Sequence, residues 1–590
     1  MIKKFFEFEH IFYVFLIIIT IIFTSRLNSS FSLPKVLFLF FFSIICILYL
    51  ILFYSGVNNF NYKKIWTIPF IFILIFLILA IGSKNIYLAF FGTYGRFSGF
   101  LFWFSLIIIM FTAAFTIKNS TKFINVLIFI GVISTLYGLL QVFNSNLSIT
   151  SERYRVIGTL GNPNYVSALL GVSSTLIFWK IIKEKKIFNK FWFGIGLFLF
   201  LFVIVNTRSS QGIFIFIICV FFYIGSKIYL VNKKNGLMFF SIYLIFLIIG
   251  FFGILQKGPL RDLLYQYSIT LRGDYWRTAI AMFDSDKFKG IGISRFGIEF
   301  QNFRDQTAAL RTTATITDDP HNEILFFLSS GGLFLTLAYI LVLLLVIGIS
   351  IYGLRKSNHQ NHENILILFT AWTGFRVESL ISVNHITNNV VEWTIAGVLF
   401  NLSLGLTTTK SKNKQDSKLR ISSIVLKLLS IVALVYIFTI SIIFPKLLAD
   451  SNFAEYNQNL NNRMSDETLL FKKSLILNAI AQEPSELIYR DAAARFMINT
   501  GDFQQAKKLT TSLIRIDSDY YSTYILQAII FESYGAINSA EINRLKALDI
   551  DPYDLSNIDS LRKLYFKMGN SEKYESLTEY LTKLDSNFKK

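Results

Sequence analysis

The sequence is poor in charge and in cysteine for its length. Only 16% of its 590 residues are charged, against about 25% in soluble domains. This excludes an ordinary soluble enzyme, and a hydrophobic content of 53% excludes a disordered chain. The two cysteines, Cys46 and Cys219, both lie inside apolar runs. They therefore provide no disulfide framework and do not indicate a compartment.

Long apolar runs recur from the N-terminus to about residue 443. Runs of this length predict an all-α, polytopic membrane bundle of about 12–13 spans. The predicted spans are 9–24, 36–54, 65–82, 97–117, 123–143, 164–182, 191–207, 212–230, 237–256, 330–353, 364–382, 391–407 and 421–443. The first is predicted to stay in the membrane, because it lacks the small-residue cleavage site of a signal peptide.

The net charge of +20 indicates membrane topology, and no nucleic-acid partner is expected. One set of alternate connections holds 21 basic residues and the opposite short connections hold seven. The positive-inside rule then places the N-terminus in the cytoplasm and, after thirteen spans, the C-terminal segment outside. We therefore expect a multi-pass protein of the bacterial cytoplasmic (inner) membrane.

The kind of basic residue also differs between the two sides. The inside set is 19 Lys and 2 Arg, whereas the outside, including a large loop at 257–320, holds 11 Arg and 5 Lys. Arginine grips phosphate with two parallel hydrogen bonds, which lysine does not provide. An anionic, phosphorylated ligand on the outer face is one interpretation. Contact with lipid headgroups is the other.

The composition changes after Pro445, which predicts a membrane domain at 1–445 and a polar helical domain at 446–590. Residues suited to helix ends recur every 34 positions there, at Gly501, Gly535 and Gly569 and at Pro484, Ser518 and Pro552. This period resembles the tetratricopeptide repeat (TPR), so we predict an extracytoplasmic TPR-like α-solenoid of about three repeats with a protein partner. A passive spacer is the alternative.

Two outer segments near spans six to eight contain candidate ligand-binding residues. The first contains Arg153, Arg155, Asn162 and Asn164, in an irregular turn whose amides and N–H groups can face a ligand. Asn162 or Asn164 would alternatively cap the following helix. The second is the tight turn 207–212, in which Arg208 is either a ligand-binding residue or a side chain that extends to the membrane surface.

The long outer loop supplies a third segment around Arg272 and Trp276. Asp274 is predicted to cap a helix with one apolar face, formed by Tyr275, Ala279, Met282 and Phe283. Arg272 would then precede the cap, where anions bind favourably. Lys289–Phe296 follows, with a turn predicted at its glycines.

A fourth segment, Asp318-Asp319-Pro320-His321-Asn322, precedes the helix that enters span ten, and Gly331-Gly332 predicts a break in that helix. His321 is the one histidine in an acidic cluster that proline makes rigid. A lone histidine is often structural, but the neighbouring acids and arginines make a catalytic role the competing hypothesis.

These segments together resemble the O-antigen ligase and polymerase superfamily. The resemblance covers roughly residues 25–405 and rests on an ordered set of motifs: Ser32–Lys35, Gly92–Gly99 with Arg96, Gly158–Asn164, Arg208, Arg272–Trp276, Gly290–Gly292 and Asp319–Asn322. It implies a GT-C-like membrane glycosyltransferase that moves a glycan from an undecaprenyl-diphosphate carrier to a lipid, glycan or protein acceptor. The family's essential arginines and histidine map onto Arg208, Arg272 and His321.

The residues suit such chemistry without a metal or other cofactor. Arg208 and Arg272 can clamp a diphosphate, and His321 can deprotonate an acceptor hydroxyl, which gives inversion in a direct displacement. Asp318 is expected to orient His321 or raise its pKa. Substrate contacts are expected from Arg96, Arg153, Arg155, Asn162, Asn164, Trp276, Asp318 and Asn322. A divalent metal at Asp318 and Asp319 is the rival interpretation.

Two other classes of function stay open. Thirteen spans would suit a transporter or flippase of lipid-linked glycan, but transporters place ionisable groups at mid-bilayer. Only Arg376 and Glu378 lie clearly within a span, and two residues apart they face away from each other. A scaffold that uses the repeats alone would not explain the outer arginine bias.

Overall fold

A computed structural model describes residues 8–53, 64–144, 156–311, 316–356, 359–406, 437–458 and 465–585. Within these ranges the chain forms helices and turns and no strand, which confirms the all-α fold class. Arg153, Arg155 and most of the thirteenth predicted span lie outside the described residues.

The membrane bundle is built from helices that coincide with the first twelve predicted spans. They are α1 Phe8–Ile21, α2 Ser32–Phe53, α3 Thr67–Ile81, α5 Phe100–Thr116, α6 Ser120–Phe143, α7 Pro163–Lys183, α8 Ile187–Asn206, α9 Gln211–Val231, α10 Lys233–Ile254, α15 Glu323–Lys356, α16 His359–Ser379 and α17 Ile386–Leu404. Eight of the described helices are long and apolar enough to cross a membrane, and α1 and α5 are shorter apolar helices. The protein is therefore a multi-pass membrane protein.

Helix α17 forms the centre of the bundle. It is buried along almost its whole length and packs against α5. The two helices approach closely at Gly397 because glycine has no side chain. A Cβ there would lie only 2.2 Å from the carbonyl oxygen of Met110. Small residues at such crossings are the usual device for packing helices in a membrane.

The two charged residues predicted within one span, Arg376 and Glu378, have separate partners. Arg376 donates from Nη1 to Glu323 at 2.5 Å and from Nη2 to Glu392, whereas Glu378 accepts from Asn388 at 2.9 Å. These contacts join α15, α16 and α17 by ion pairs and hydrogen bonds. The two side chains therefore face away from each other, as their spacing predicts.

One end of the bundle carries nearly all of the described non-membrane structure, and we call it the loop face. It consists of the turns 22–31, 82–99, 156–162, 207–210 and 380–385 and the segment 255–322. Short helices stand in it: α4 Ile86–Phe91, α11 Arg261–Leu264, α12 Tyr267–Ser285, α13 Phe296–Phe303 and α14 Gln306–Arg311. Hydrogen bonds tie the turns together, for example from Asn322 Nδ2 to the carbonyl of Leu380 at 3.0 Å.

The predicted break at Gly331-Gly332 kinks α15 at the loop face. Gly332 has a φ of +67°, and a Cβ there would lie 2.4 Å from the carbonyl oxygen of Phe288. The kink exposes Leu333 N–H, which donates to the carbonyl of Lys287 at 2.8 Å. The turn predicted at Gly290 and Gly292 is also present, and both residues have positive φ. The backbone after α12 therefore packs directly into the kink.

The C-terminal part, which we call the repeat domain, consists of helices that pack as hairpins. They are α18 Phe444–Asn457, α19 Asp466–Gln482, α20 Leu487–Asn499, α21 Phe503–Ile516, α22 Tyr521–Ser533, α23 Ile537–Ile550, α24 Leu555–Lys567 and α25 Ser571–Leu584. Three hairpins begin 34 residues apart, at residues 487, 521 and 555. Gly501, Gly535 and Gly569 have φ of +70° to +80° between paired helices, as their spacing predicts.

The repeat domain is fixed to the loop face by buried ion pairs. Arg295, with 1% of its side chain exposed, binds Asp517, and Arg304, with 2% exposed, binds Asp551 at 2.6 Å. Glu483 accepts from the hydroxyl of Tyr87 in α4 at 2.6 Å, and Lys446 of α18 pairs with the same carboxylate at 2.8 Å. Glu483, Asp517 and Asp551 are themselves 34 residues apart. Successive repeats therefore carry an acidic residue at the same position, and each of these three acids is paired with a basic residue.

Candidate functional site

The tight turn around Arg208 is held against the start of α7. Gly212 permits the approach, since a Cβ there would lie 2.1 Å from the carbonyl oxygen of Ser167. Ser167 Oγ accepts from Gly212 N–H at 2.9 Å and donates to the carbonyl of Ser209 at 3.1 Å. Arg208 itself has a φ of +59° and extends from this fixed turn. The small polar residues of the segment therefore position the arginine.

Asn162 caps the adjacent helix α7, where its side chain accepts from Asn164 N–H at 2.9 Å. Helix α9 begins beside it at Gln211. The N-termini of both helices reach the same space, and their dipoles favour an anion there. The capping and ligand-binding interpretations of Asn162 are therefore compatible.

A cavity of about 320 Å³, which we call the arginine cavity, lies between these turns and α12. Five of the predicted site residues line it: Asn162, Asn164, Arg208, Arg272 and Trp276. Apolar side chains from α9 and α10 close another part of its wall, among them Phe214, Phe251 and Ile254. The cavity thus combines cationic and amide groups with an apolar wall on the membrane side.

Helix α12 begins at Tyr267, earlier than predicted. Asp274 is therefore in the middle of the helix and does not cap it, so that prediction was wrong. Asp274 is instead a buried carboxylate that accepts from Arg277 at 2.7 Å and from Arg311. The predicted apolar face is present, with Tyr275, Ala279 and Met282 buried.

Arg208 and Arg272 differ from the other arginines near them in having no acidic partner among the described residues. No salt bridge joins either one to another described residue, although Arg96, Arg277, Arg295, Arg304 and Arg311 are all paired. Burial lowers the pKa of Arg272 below its ordinary value. A partly buried guanidinium without a counter-charge is costly, and an anion in the cavity would offset that cost.

The indole of Trp276 lines the same cavity. Its Nε1 is buried and has no hydrogen-bond partner among the described residues. Gln211, which also lines the cavity, has a buried Oε1 without a partner in the same described part of the chain. Polar atoms in this state usually bind a ligand or water. Gln211 was not singled out from the sequence, although it lies in the predicted 207–212 turn.

His321 does not line the arginine cavity but lies beside it, in contact with α12. Its ring centroid is 5.3 Å from that of Tyr275, one residue before Trp276. The charge of Arg272 also acts on its imidazole. The residue adopts a φ of +58°, which a non-glycine residue rarely does. The loop therefore holds the imidazole in a specific place next to Arg272.

Hydrogen bonds fix the tautomer of His321. Its Nδ1 lies 3.0 Å from the carbonyl oxygen of Asp319, and only a protonated Nδ1 donates to a carbonyl. The Nε2 atom is then the one that carries a free lone pair. His321 N–H also donates to the Asp319 carboxylate at 2.7 Å. A histidine that acts as a general base has this arrangement: a hydrogen bond fixes one ring nitrogen, and the other can accept a proton.

The residue that orients His321 is Asp319, whereas Asp318 was predicted for that role. Asp318 binds Arg96, whose Nε lies 3.0 and 3.1 Å from the two carboxylate oxygens. Arg96 also donates to the hydroxyl of Tyr165 at 3.1 Å. The two acids point to different partners because neighbouring side chains in an irregular loop diverge, which the sequence did not reveal.

The pKa of His321 is lowered to about 4, mainly by burial and also by the charges of Arg272 and Arg96. Asp318 acts on the pKa in the predicted direction, but these effects outweigh it. Burial raises the pKa of Asp319 to about 7. The imidazole is therefore neutral at physiological pH, which is the form that accepts a proton.

Asn322 caps α15, where its Oδ1 accepts from Leu325 N–H at 3.0 Å. Its Nδ2 holds the carbonyl of Leu380, next to the cavity-lining Ile381. Asn322 therefore joins the His321 loop to the wall of the arginine cavity. Arg153 and Arg155 lie outside the described residues, so the structure assigns them no place.

The carboxylates of Asp318 and Asp319 do not form a set of ligands that would favour a divalent metal at this loop. Asp318 pairs with Arg96, and Asp319 accepts from the backbone of His321, so their oxygens do not converge. No group of three or more potential metal ligands occurs in the described part of the chain.

Comparison with known proteins gives a family match over part of the chain. The O-antigen ligase family matches residues 193–340. The matched stretch contains Arg208, Arg272 and His321 and ends before the repeat domain. A search of curated proteins returned no match. The family match supports a membrane glycosyltransferase of the O-antigen ligase or polymerase type, which acts on a lipid-linked glycan donor.

Proposed function

We propose that this protein transfers a glycan from an undecaprenyl-diphosphate carrier to an acceptor hydroxyl on the outer face of the bacterial cytoplasmic membrane. The observation that carries the proposal is the arginine cavity. It holds two helix N-termini and two arginines that have no acidic partner in the described ranges, beside a histidine with a free Nε2 lone pair. The arginines and helix N-termini suit a diphosphate, and the free nitrogen of His321 suits a nucleophilic hydroxyl.

Arg208 and Arg272 bind the diphosphate and neutralise the charge that develops on the leaving group. The apolar wall formed by α9 and α10 receives the first isoprene units of the carrier. Trp276 and Gln211 hydrogen-bond to the diphosphate or to the first sugar through atoms that have no partner among the described residues.

His321 accepts the proton of the acceptor hydroxyl at Nε2 while Nδ1 stays bonded to the carbonyl of Asp319. The oxygen then attacks the anomeric carbon, and the bond from that carbon to the diphosphate oxygen breaks. A single displacement inverts the anomeric configuration. Because bound diphosphate offsets the charge of Arg272, donor binding raises the pKa of His321 and makes it a stronger base.

The proposed topology places the loop face and the repeat domain outside. It rests on the lysine-rich connections at the opposite end of the bundle and on the positive-inside rule. A reporter fused after Lys590 and one inserted in the 408–420 loop should then report opposite sides of the membrane. A cytoplasmic reporter at Lys590 would remove the basis for an outer site.

The test is transfer by the purified full-length chain in nanodiscs, with an undecaprenyl-diphosphate oligosaccharide as donor. We expect a glycosylated acceptor with inverted linkage, and transfer should survive EDTA. The double variant Arg208→Ala/Arg272→Ala should lose binding of undecaprenyl diphosphate. Unchanged binding in that variant, or activity that EDTA abolishes and magnesium restores, would contradict the proposed mechanism.

A further inference from the structure

A second cavity, of about 350 Å³, lies between α13 of the loop face and the repeat domain. It is lined by Gly297, Ile298, Gln301 and Ile316 from the loop face and by Arg495, Tyr520, Tyr521, Ser522, Ile525 and Asp554 from the repeats. The volume is within the range of small-molecule sites. We call it the interdomain cavity.

The interdomain cavity differs from the arginine cavity in charge. Arg495 is balanced by Asp491 at 2.7 Å and donates to Ser522 Oγ at 2.6 Å. Asp554 accepts from the hydroxyl of Tyr521. Positive and negative groups are therefore matched, so the lining gives no advantage to a phosphate. Donors and acceptors are mixed instead, which suits a neutral ligand with many hydroxyl groups.

Two tyrosines of the lining add aromatic rings, which commonly pack against sugars in carbohydrate-binding sites. Tyr520 and Tyr521 offer aromatic rings against which the C–H face of a sugar ring packs. The Tyr520 hydroxyl makes no hydrogen bond to any residue in the described ranges, although the residue is largely buried. It is thus available to a ligand.

The cavity lies against the back of the His321 loop. A Cβ at Gly297 would be 3.1 Å from Cα of Asp318, so α13 packs directly on this loop. Ile316, which lines the cavity, is five residues before His321. The arginine cavity lies on the other side, where Arg272 and Tyr275 of α12 approach the histidine.

We propose that the interdomain cavity binds neutral sugar residues of an acceptor glycan. The proposal rests on the proposed function and adds the acceptor's chemical class and its binding site. The ion pairs of Arg295 and Arg304 hold the two walls of the cavity together. This gives the repeat domain a role in the reaction, since one wall of the acceptor site belongs to it.

The test uses the full-length chain in nanodiscs and a defined probe. The probe is the neutral oligosaccharide pool that mild acid releases from the finished cell-envelope glycans of the host bacterium, tagged with a fluorophore at the reducing end. Ile525→Trp fills the cavity, and Ile542→Trp makes the same change at a site that is 54% exposed and outside the lining. We expect Ile525→Trp to weaken probe binding at least tenfold and Ile542→Trp to leave it unchanged.

A smaller change tests the hydrogen bond itself. Tyr520→Phe keeps the ring and removes the free hydroxyl, so it should weaken the probe about threefold to tenfold. Tyr534→Phe, at a tyrosine with 51% exposure, is the matched control. In transfer assays Ile525→Trp should raise KM for the acceptor and leave KM for the donor unchanged.

The outcomes separate this proposal from the proposed function. Normal acceptor KM in a folded, active Ile525→Trp variant would overturn the acceptor site and leave the transferase assignment intact. A raised donor KM alone would assign the cavity to the distal sugars of the donor and overturn the acceptor assignment. Binding of an unstructured peptide, lost in Ile525→Trp, with no oligosaccharide binding, would overturn the carbohydrate assignment. Loss of undecaprenyl-diphosphate binding in Arg272→Ala is measured separately and tests only the donor site.

Discussion

The arginines of the loop face fall into two groups that the chain uses differently. Arg295 and Arg304 are buried and paired with acids of the repeat domain. Arg208 and Arg272 line a cavity and have no salt bridge to a described residue. All four residues are arginines. What distinguishes the structural ones from those available to a ligand is therefore the ion pair with an acidic residue. The arginine bias of this face therefore has two components: arginines paired with acids of the repeat domain, and arginines that line the cavity without such a pair in the described part of the chain.

The group beside the unpaired arginines should give the largest effect on activity. His321→Ala should reduce transfer by about 10²–10⁴-fold, which is the usual contribution of general base catalysis. Binding of undecaprenyl diphosphate, measured in nanodiscs, should stay within about twofold of wild type because the arginines are intact. Near-normal turnover in this variant would refute the assignment of His321 as the base.

A paired arginine should affect stability and leave the chemistry of the donor site unaltered. Arg295→Ala leaves the buried Asp517 carboxylate without its partner, and breaking such a pair costs about 3–5 kcal/mol. We expect easier proteolytic release of the repeat domain and an earlier thermal transition. Arg261→Ala, at a side chain with 61% exposure, is the control and should change neither. Wild-type stability in Arg295→Ala would show that the interface does not depend on this ion pair.

Lysine substitution distinguishes the two uses of arginine more finely. Arg208→Lys and Arg272→Lys keep the charge and lose the planar fork, so transfer should fall about 10- to 100-fold at unchanged melting temperature. The comparison is kinetic, with donor KM and kcat measured separately. Full activity in Arg208→Lys would assign Arg208 to membrane anchoring.

The smallest expected effect concerns pH. The pKa of Asp319 is raised to about 7, so the folded state holds its proton between about pH 4 and pH 7 while the unfolded state releases it. This carboxyl therefore stabilises the fold most at low pH, and the contribution decreases as pH rises through that window, by no more than about 1.4 kcal/mol per pH unit. Asp319→Asn should remove this slope from melting temperature against pH. The Asn Oδ1 still accepts from His321 N–H, so the loop should be preserved. An unchanged slope would show that another group titrates there.

The chain by itself determined what depends on composition and period. Long apolar runs predict membrane helices because an uncharged backbone in lipid must satisfy its own hydrogen bonds. The 34-residue spacing of Gly501, Gly535 and Gly569 predicts the helical hairpins, since each needs a glycine in the left-handed region between its helices. Gly331-Gly332 likewise predicts the kink in α15. These signals are local, so no knowledge of distant contacts is needed to use them.

Only the tertiary structure decided which residues meet. His321 and Arg272 are 49 positions apart in the sequence, and the packing of the Asp319–Asn322 loop on α12 brings them together. The same packing gave the orienting role to Asp319, because Arg96, far away in the chain, binds Asp318. Burial then lowered the pKa of His321, which its type alone does not indicate. Ion pairing, burial and the left-handed backbone of Arg208 and His321 all arise from contacts between distant segments, and for that reason the sequence pattern did not contain them.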